Sequence, residues 1–357
     1  MNIKTVTFSD AQNWGAILQT YALCKYINSC NTDYNCEVIK YKNFDDRWFK
    51  PRKIIKDVLL SILFYKDNLR RVSRYKSFIN QYIPFSSESS WEELNKYTDV
   101  FICGSDQVWN CSNGVVPEFY LELVSDQSVK MAYAPSFGIR EIPVEHRERV
   151  SKAINRVDYL SVREASGKRI IKDLTGRDAE VVVDPVFLIS ENEWKDIAEK
   201  PNERDYIFVY VTEVSDKVAA MVKKYKTKNP TCKVISPYAI PGVKAIIKKD
   251  IGPAQFIGLV QNAKAIISTS FHATAFSLIF KKDFCVVPHS VTGSRVIDLL
   301  NKIGMNKAIY KDGYRLEDMV CGDQYRSSLE NWIAESKCFI VDSLCEASKK
   351  RGEVCDV

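Results

Sequence analysis

The chain has 357 residues, 46% hydrophobic and 27% charged, with a formal net charge of +6. Length and composition are those of two globular domains and exclude a disordered polyelectrolyte. The positive excess is too dispersed to mark a nucleic-acid surface, though it suits an anionic ligand or an anionic membrane face.

Residues 3–8 read as a strand, 9–15 as a loop, 16–28 as a helix with apolar Ile17, Leu18, Tyr21, Ala22 and Leu23, and 37–41 as a second strand. Strand, loop, helix, strand opens a parallel α/β layer. Residues 44–83 break the rhythm; they are basic, aromatic and helix-like, and read as an insertion in the first domain. Strands resume at 99–103, 129–133, 159–162 and 180–183, with a helix at 145–155. A charged stretch at 191–204 marks a boundary. A second alternation follows, with strands at 206–211, 232–236, 264–268 and 284–287 and helices at 215–227, 253–262, 271–280 and 294–303. The expected organisation is one Rossmann-like domain over 1–195, a second over 205–325, and a helical tail over 326–357 that packs back across the boundary.

Ligands of parallel α/β sheets bind beyond the carboxyl ends of the strands, and the polar clusters of this chain fall there. In "SDAQNWGAILQ" (9–19), Asn13, Trp14 and Gly15 stand where a helix begins, although an ordinary strand-to-helix turn has the same pattern. In "CGSDQVWN" (103–110), Ser105, Asp106, Gln107, Trp109 and Asn110 resemble a sugar-handling set: carboxylate and amides for hydroxyls, an indole for a pyranose face. The other reading is a capped turn with a core tryptophan. Arg163 in "SVREASG" carries a fork that matches phosphate or carboxylate, or pairs with Glu164. Asp184 in "VVDPVF" precedes a proline and reads as architectural. In "STSFHATAF", Ser270 precedes a helix and His272 lies in its first turn, facing the helix end that favours anions. That histidine is either a ligand's partner or a polar group satisfied within the core. Arg295 in "PHSVTGSRVIDLL" sits in another first turn, against the helix dipole, which suits an anionic partner.

Taken in order, "NWGAILQTYAL", "GSDQVWN", "YAPSFG", "SVREASG", "VVDPVFL", "IGPAQFIGLVQNAKAIISTSFHATAFSLIFKKDF" and "SRVIDLL" resemble the polysaccharide pyruvyl transferase family. The resemblance implies two Rossmann-like parallel-sheet domains facing across a cleft, as in the GT-B fold. It implies transfer of the pyruvyl unit of phosphoenolpyruvate to two hydroxyls of a sugar, giving a ketal and phosphate. His272 matches the histidine proposed as the acid in that family, and Arg163 matches an arginine expected to bind the donor. Some members carry an arginine where Ser270 stands here, so Arg295 and Lys281 are the candidates to replace it. Asp106 is the expected hydroxyl-binding carboxylate. Asn13, Trp14, Gly15, Ser105, Gln107, Trp109 and Asn110 are expected on the acceptor side.

No metal or cofactor is expected, since the eleven cysteines form no C-x-x-C pair and no G-x-G-x-x-G occurs. Scattered cysteines and a chain that enters a strand directly suggest a cytoplasmic protein. The basic stretch around the apolar residues 58–64 suggests contact with the inner membrane face, where a lipid-linked sugar acceptor would reside. The competing functions are a GT-B glycosyltransferase using a nucleotide sugar and a carbohydrate-binding relative without turnover.

Overall fold

The computed structural model describes residues 1–9, 12–40, 65–88, 90–213, 215–290, 293–321 and 326–350. In chain order the described strands are β1 (Asn2–Val6), β2 (Asn35–Val38), β3 (Val100–Cys103), β4 (Val129–Ala132), β5 (Tyr159–Val162), β6 (Glu180–Val181), β7 (Tyr206–Tyr210), β8 (Lys233–Ser236), β9 (Ile246–Ile247), β10 (Ala265–Ser268), β11 (Asp283–Val286) and β12 (Val320–Cys321). The helices are α1 (Trp14–Cys30), α2 (Tyr65–Tyr82), α3 (Trp91–Tyr97), α4 (Val144–Asn155), α5 (Ala165–Thr175), α6 (Glu191–Ile197), α7 (Asp216–Lys228), α8 (Pro253–Asn262), α9 (Phe271–Ile279), α10 (Ser294–Lys302) and α11 (Arg326–Lys350). These elements form two compact units. One holds the described residues of Met1–Asp45, Ile79–Ile189 and Glu330–Val357, the other those of Asp46–Phe78 and Ser190–Leu329.

The first unit is built on a parallel sheet in the order β2-β1-β3-β4-β5-β6. Val100, Phe101, Ile102 and Cys103 are all buried, as a central strand covered on both faces requires, and this is why its sequence shows no polar alternation. α11 completes this unit from the far end of the chain. Its Trp332 Nε1 donates to the Val181 carbonyl at 2.7 Å, and its Ser336 Oγ accepts the Val183 amide at 3.0 Å. Ile340, Leu344 and Ala347 bury the same helix face. The expected tail is thus a layer of the first unit.

Lys4 on β1 is 2% exposed and bonded to Glu37 and Glu88. The Ser86 hydroxyl, together with Lys4, outweighs burial and holds the Glu88 carboxyl down at about 2. A depressed carboxylate stabilises the fold above its unfolded value near 4.5, and that contribution is lost as pH falls toward 2. Glu88→Gln is expected to flatten the decline of the unfolding midpoint between those pH values; an unchanged acid limb would remove Glu88 from the account.

The second unit has the sheet order β12-β11-β10-β7-β8-β9, parallel except for β12 against β11. The short edge strands β9 and β12 were not expected from the sequence. α8 packs so close to the end of α6 that a Cβ at Gly258 would lie 1.8 Å from the Glu199 carbonyl oxygen. Gly258→Ala is expected to cost about 1–3 kcal/mol through overpacking, read as a lower midpoint in urea.

The segment expected as an insertion of the first domain divides differently. Its residues 44–64 lie outside the described residues. α2 contributes its residues through Phe78 to the second unit, where Arg74 Nη1 donates to both the carbonyl and the Oδ2 of Asp250 at 2.7 Å. No helix among the described residues is long and apolar enough to cross a membrane. Eight of the described cysteines are free thiols, whereas Cys345 is disulfide-bonded.

Candidate functional site

In the first unit the chain runs from β1 to β2 on one side and later returns to β3 on the other, so a topological switch point lies at the carboxyl ends of β1 and β3. The two loops there are tied together. Thr7 Oγ1 donates to the Ser105 carbonyl at 2.9 Å, and Gln19 Nε2 donates to Thr7 Oγ1 at 3.0 Å. Gly104 permits this approach, since a Cβ at that position would meet Thr7 Cβ at 2.9 Å. Asp106 follows with φ 73° and ψ −172°, a region essentially reserved for glycine that costs on the order of 1–3 kcal/mol for other residues. Its carbonyl accepts the Ser136 amide at 2.8 Å, which helps hold the strained turn.

Arg163, at the end of β5, corrects the sequence reading. Its side chain is 2% exposed and is surrounded by the protein's own carboxylates. Nη1 donates to Asp184 Oδ2 at 2.7 Å, Nη2 lies 3.6 Å from Asp106 Oδ1, and Nε lies 3.8 Å from Glu164 Oε2. Burial alone would lower its pKa; Asp184, Asp106 and Glu164 outweigh this and hold the guanidinium above its ordinary value. The fork expected to clamp a donor anion is filled from within, and an anion placed there would meet three carboxylates. Asp184 also accepts the Val186 amide at 3.1 Å and so starts the turn at Pro185, the architectural part expected of it.

Several acceptor-side residues are likewise engaged in the fold. Trp109 is 1% exposed; its Nε1 donates to the Phe119 carbonyl at 3.0 Å and its ring stacks on Tyr120 at 5.7 Å. Phe137 lies 5.3 Å away, so the indole offers no face to a pyranose and is a core residue. The fully buried Ser105 donates its hydroxyl to the Ala134 carbonyl at 3.0 Å. Asn110 Oδ1 accepts the Ser112 amide at 3.1 Å. The Gln107 amide packs on Gly138, where a Cβ would lie 2.1 Å from Nε2. Asn13 is exposed and caps α1 by accepting the Ala16 amide at 3.3 Å, while Trp14 and Gly15 are buried in the first turn.

The second unit has its own switch point, at the carboxyl ends of β7 and β10. β10 ends at Ser268, whose Oγ donates to the Tyr210 carbonyl at 2.7 Å and accepts the Ser270 amide at 2.9 Å. Thr269 Oγ1 accepts the Thr212 amide at 2.9 Å. These bonds fix the start of α9. Ser270 is its N-cap residue but makes no side-chain cap, the first turn holds no acidic residue, and His272 lies there 8% exposed with Phe271 edge-on at 5.3 Å. Amides and dipole at such a start favour an anion.

β11 is the next parallel strand, and the residues that follow it, His289, Ser290 and Arg295, leave the same sheet edge as His272. Lys281 does not. It follows the other end of α9 and precedes β11, nine residues from His272, which is about 13 Å along a helix. Its Nζ pairs with Glu191 Oε2 at 3.3 Å. Lys281 therefore cannot stand in beside Ser270, whereas Arg295 is on the correct edge. Sequence reading missed Thr212 and Glu213; their signal was a polar pair immediately after the apolar run of β7. Among the described residues no group of three or more His, Cys, Asp or Glu could hold a metal ion.

Two parallel-sheet α/β units in series, each with polar groups at its switch point, define a protein of the GT-B fold class. The chain belongs to the polysaccharide pyruvyl transferase family, a transferase family whose model matches residues 13–291. No curated protein matches it by sequence. Among solved structures, a UDP-GlcNAc 2-epimerase from Neisseria meningitidis bound to UDP-GlcNAc has a TM-score of 0.50 at 11% identity, covering 97% of this chain and 100% of that one. The wall teichoic acid polymerase TagF has a TM-score of 0.50 at 12% identity, covering 99% and 89%. At these identities the likeness is one of fold alone.

Proposed function

We propose that the protein transfers the pyruvyl unit of phosphoenolpyruvate to two hydroxyls of a sugar in a surface or capsular polysaccharide precursor, forming a cyclic ketal and releasing phosphate. Family membership supports the transfer. The observation that carries the donor assignment is the position of His272, in the first turn of α9 at the β7/β10 switch point, with Arg295 leaving the same edge.

In this reading His272 protonates the methylene carbon of the donor, and positive charge develops on the adjacent carbon. One sugar hydroxyl attacks that carbon, phosphate departs with the C–O bond electrons, and the second hydroxyl closes the ring. The two hydroxyl protons balance the one delivered to the methylene and the one carried off with phosphate. Arg295, the Ser270 hydroxyl and the amides at the start of α9 hold the donor's anionic groups. The first unit serves the acceptor, with Asp106 as the carboxylate that takes a hydroxyl proton; its strained backbone supports this, because such strain persists where the surroundings over-determine it. Arg163 holds that carboxylate in place. The scheme uses no metal or cofactor. The acceptor is carried on a lipid at the inner membrane face, which the basic stretch 47–76 around the apolar residues 58–64 would contact.

The test is mass spectrometry of lipid-linked saccharides incubated with phosphoenolpyruvate, together with a phosphate assay. A pyruvate ketal mass gain matched by released phosphate is expected. Binding of a uridine nucleotide sugar without phosphoenolpyruvate binding would replace this reading with glycosyl transfer.

A further inference from the structure

The carboxylate of Glu213 sits in a socket made by two donors of Ser290, with the His289 imidazole beside it. It accepts the Ser290 amide at 2.7 Å and the Ser290 hydroxyl at 2.5 Å, and His289 Nδ1 lies 3.7 Å from it. The link is not local. It joins the residues after β7 to those after β11, and β10 lies between these two strands. It therefore crosses the end of β10, where Thr212, the neighbour of Glu213, is bonded to Thr269 and where the helix of His272 starts.

The Ser290 amide and hydroxyl, converging on one carboxylate with an imidazole beside them, form a donor pair that serves any carboxylate or phosphate oxygen. The Ser290 hydroxyl and amide keep the Glu213 carboxyl below its ordinary value, so it occupies the socket as an anion. Side-chain exposures of 34% for Glu213 and 20% for His289 leave the socket open to exchange with an anion from solution.

We propose that Ser290 and His289 form an anion subsite of the donor site, and that Glu213 fills this subsite until an anionic group of the donor displaces it. The inference rests on the donor reading given above. Phosphoenolpyruvate carries a carboxylate and a phosphate; the start of α9 with Arg295 takes one, and the socket takes the other. Glu213 is then a built-in competitor. Apparent donor affinity is the intrinsic affinity scaled by the fraction of molecules in which Glu213 has left the socket.

Titration calorimetry of the full chain with phosphoenolpyruvate, and separately with inorganic phosphate, tests this on the wild type, Glu213→Gln and the double variant Glu213→Gln/Ser290→Ala. Removing the competing charge is expected to tighten phosphoenolpyruvate binding at least about threefold. Adding Ser290→Ala is expected to reverse that gain, because the subsite loses its hydroxyl donor. A contact that only positions the loop predicts the opposite sign: Glu213→Gln would leave affinity unchanged or weaken it, and either result overturns the subsite. If the wild type binds neither phosphoenolpyruvate nor phosphate, the donor reading itself falls and the subsite with it.

Discussion

Arg163→Ala is expected to destabilise the first unit by about 3–5 kcal/mol, the cost of stranding a buried charge network by removing one partner. The side chains left behind are buried, Asp106 least so: Asp184 is 0% exposed, Glu164 3% and Asp106 9%. Three carboxyl groups would then share a largely buried volume with no cation among them. Arg163→Lys should fall between, since a lysine restores the charge but cannot address three carboxylates in different directions at once. Urea unfolding followed by tryptophan fluorescence is the measurement, with Trp109 reporting from the same unit. A wild-type midpoint for Arg163→Ala would sink the organising role. A stable Arg163→Lys that has lost phosphoenolpyruvate affinity would restore the donor clamp expected from sequence.

His272→Gln is expected to lower kcat by roughly 10²- to 10⁴-fold while donor affinity changes far less, because an acid acts mainly in the transition state. Glutamine keeps a hydrogen-bond donor and similar bulk, so a histidine needed only for packing should tolerate it. The control is the thermal midpoint: His272 is buried at the start of a helix whose Ala273, Ala275 and Phe276 are fully covered. Near-normal kcat with a lowered midpoint would make the residue structural and move the proton source elsewhere.

Much of the fold was legible because buried parallel strands are written as short apolar runs. Tyr206–Tyr210 and Ala265–Ser268 announce themselves in this way. The sites they lead into were legible as places, since polar residues after such runs must lie at a sheet edge. What local sequence could not disclose was which polar or aromatic group is consumed internally. Arg163 is neutralised by residues 57 and 21 positions away, Asp106 and Asp184, and only folding brings them together. Trp109 looked like a sugar platform because it stands in one cluster with a carboxylate and amides; Tyr120, stacked on it, and Phe137, tilted against it, lie beyond any local pattern. The grouping of α2 through Phe78 with the second unit includes the bond between Arg74 and Asp250, 176 residues apart. Lys281 differs: its distance from His272 followed from helix rise alone and was open to the sequence reader.

The return of α11 to the first unit sets a timetable for biosynthesis. The carbonyl of Val181 and the amide of Val183 find their partners on residues 332 and 336. Everything from Ser190 to Leu329, the main part of the second unit, is translated in between. At about 5–20 residues per second, that interval lasts roughly 7 to 28 s. During it the nascent first unit presents the apolar surface that Ile340, Leu344 and Ala347 later cover. The second unit's residues up to Leu329 are made before α11, whereas the first unit must wait for α11. The N-terminal half of this protein is therefore the half that matures last, and the half on which a chaperone binding exposed apolar surface would act.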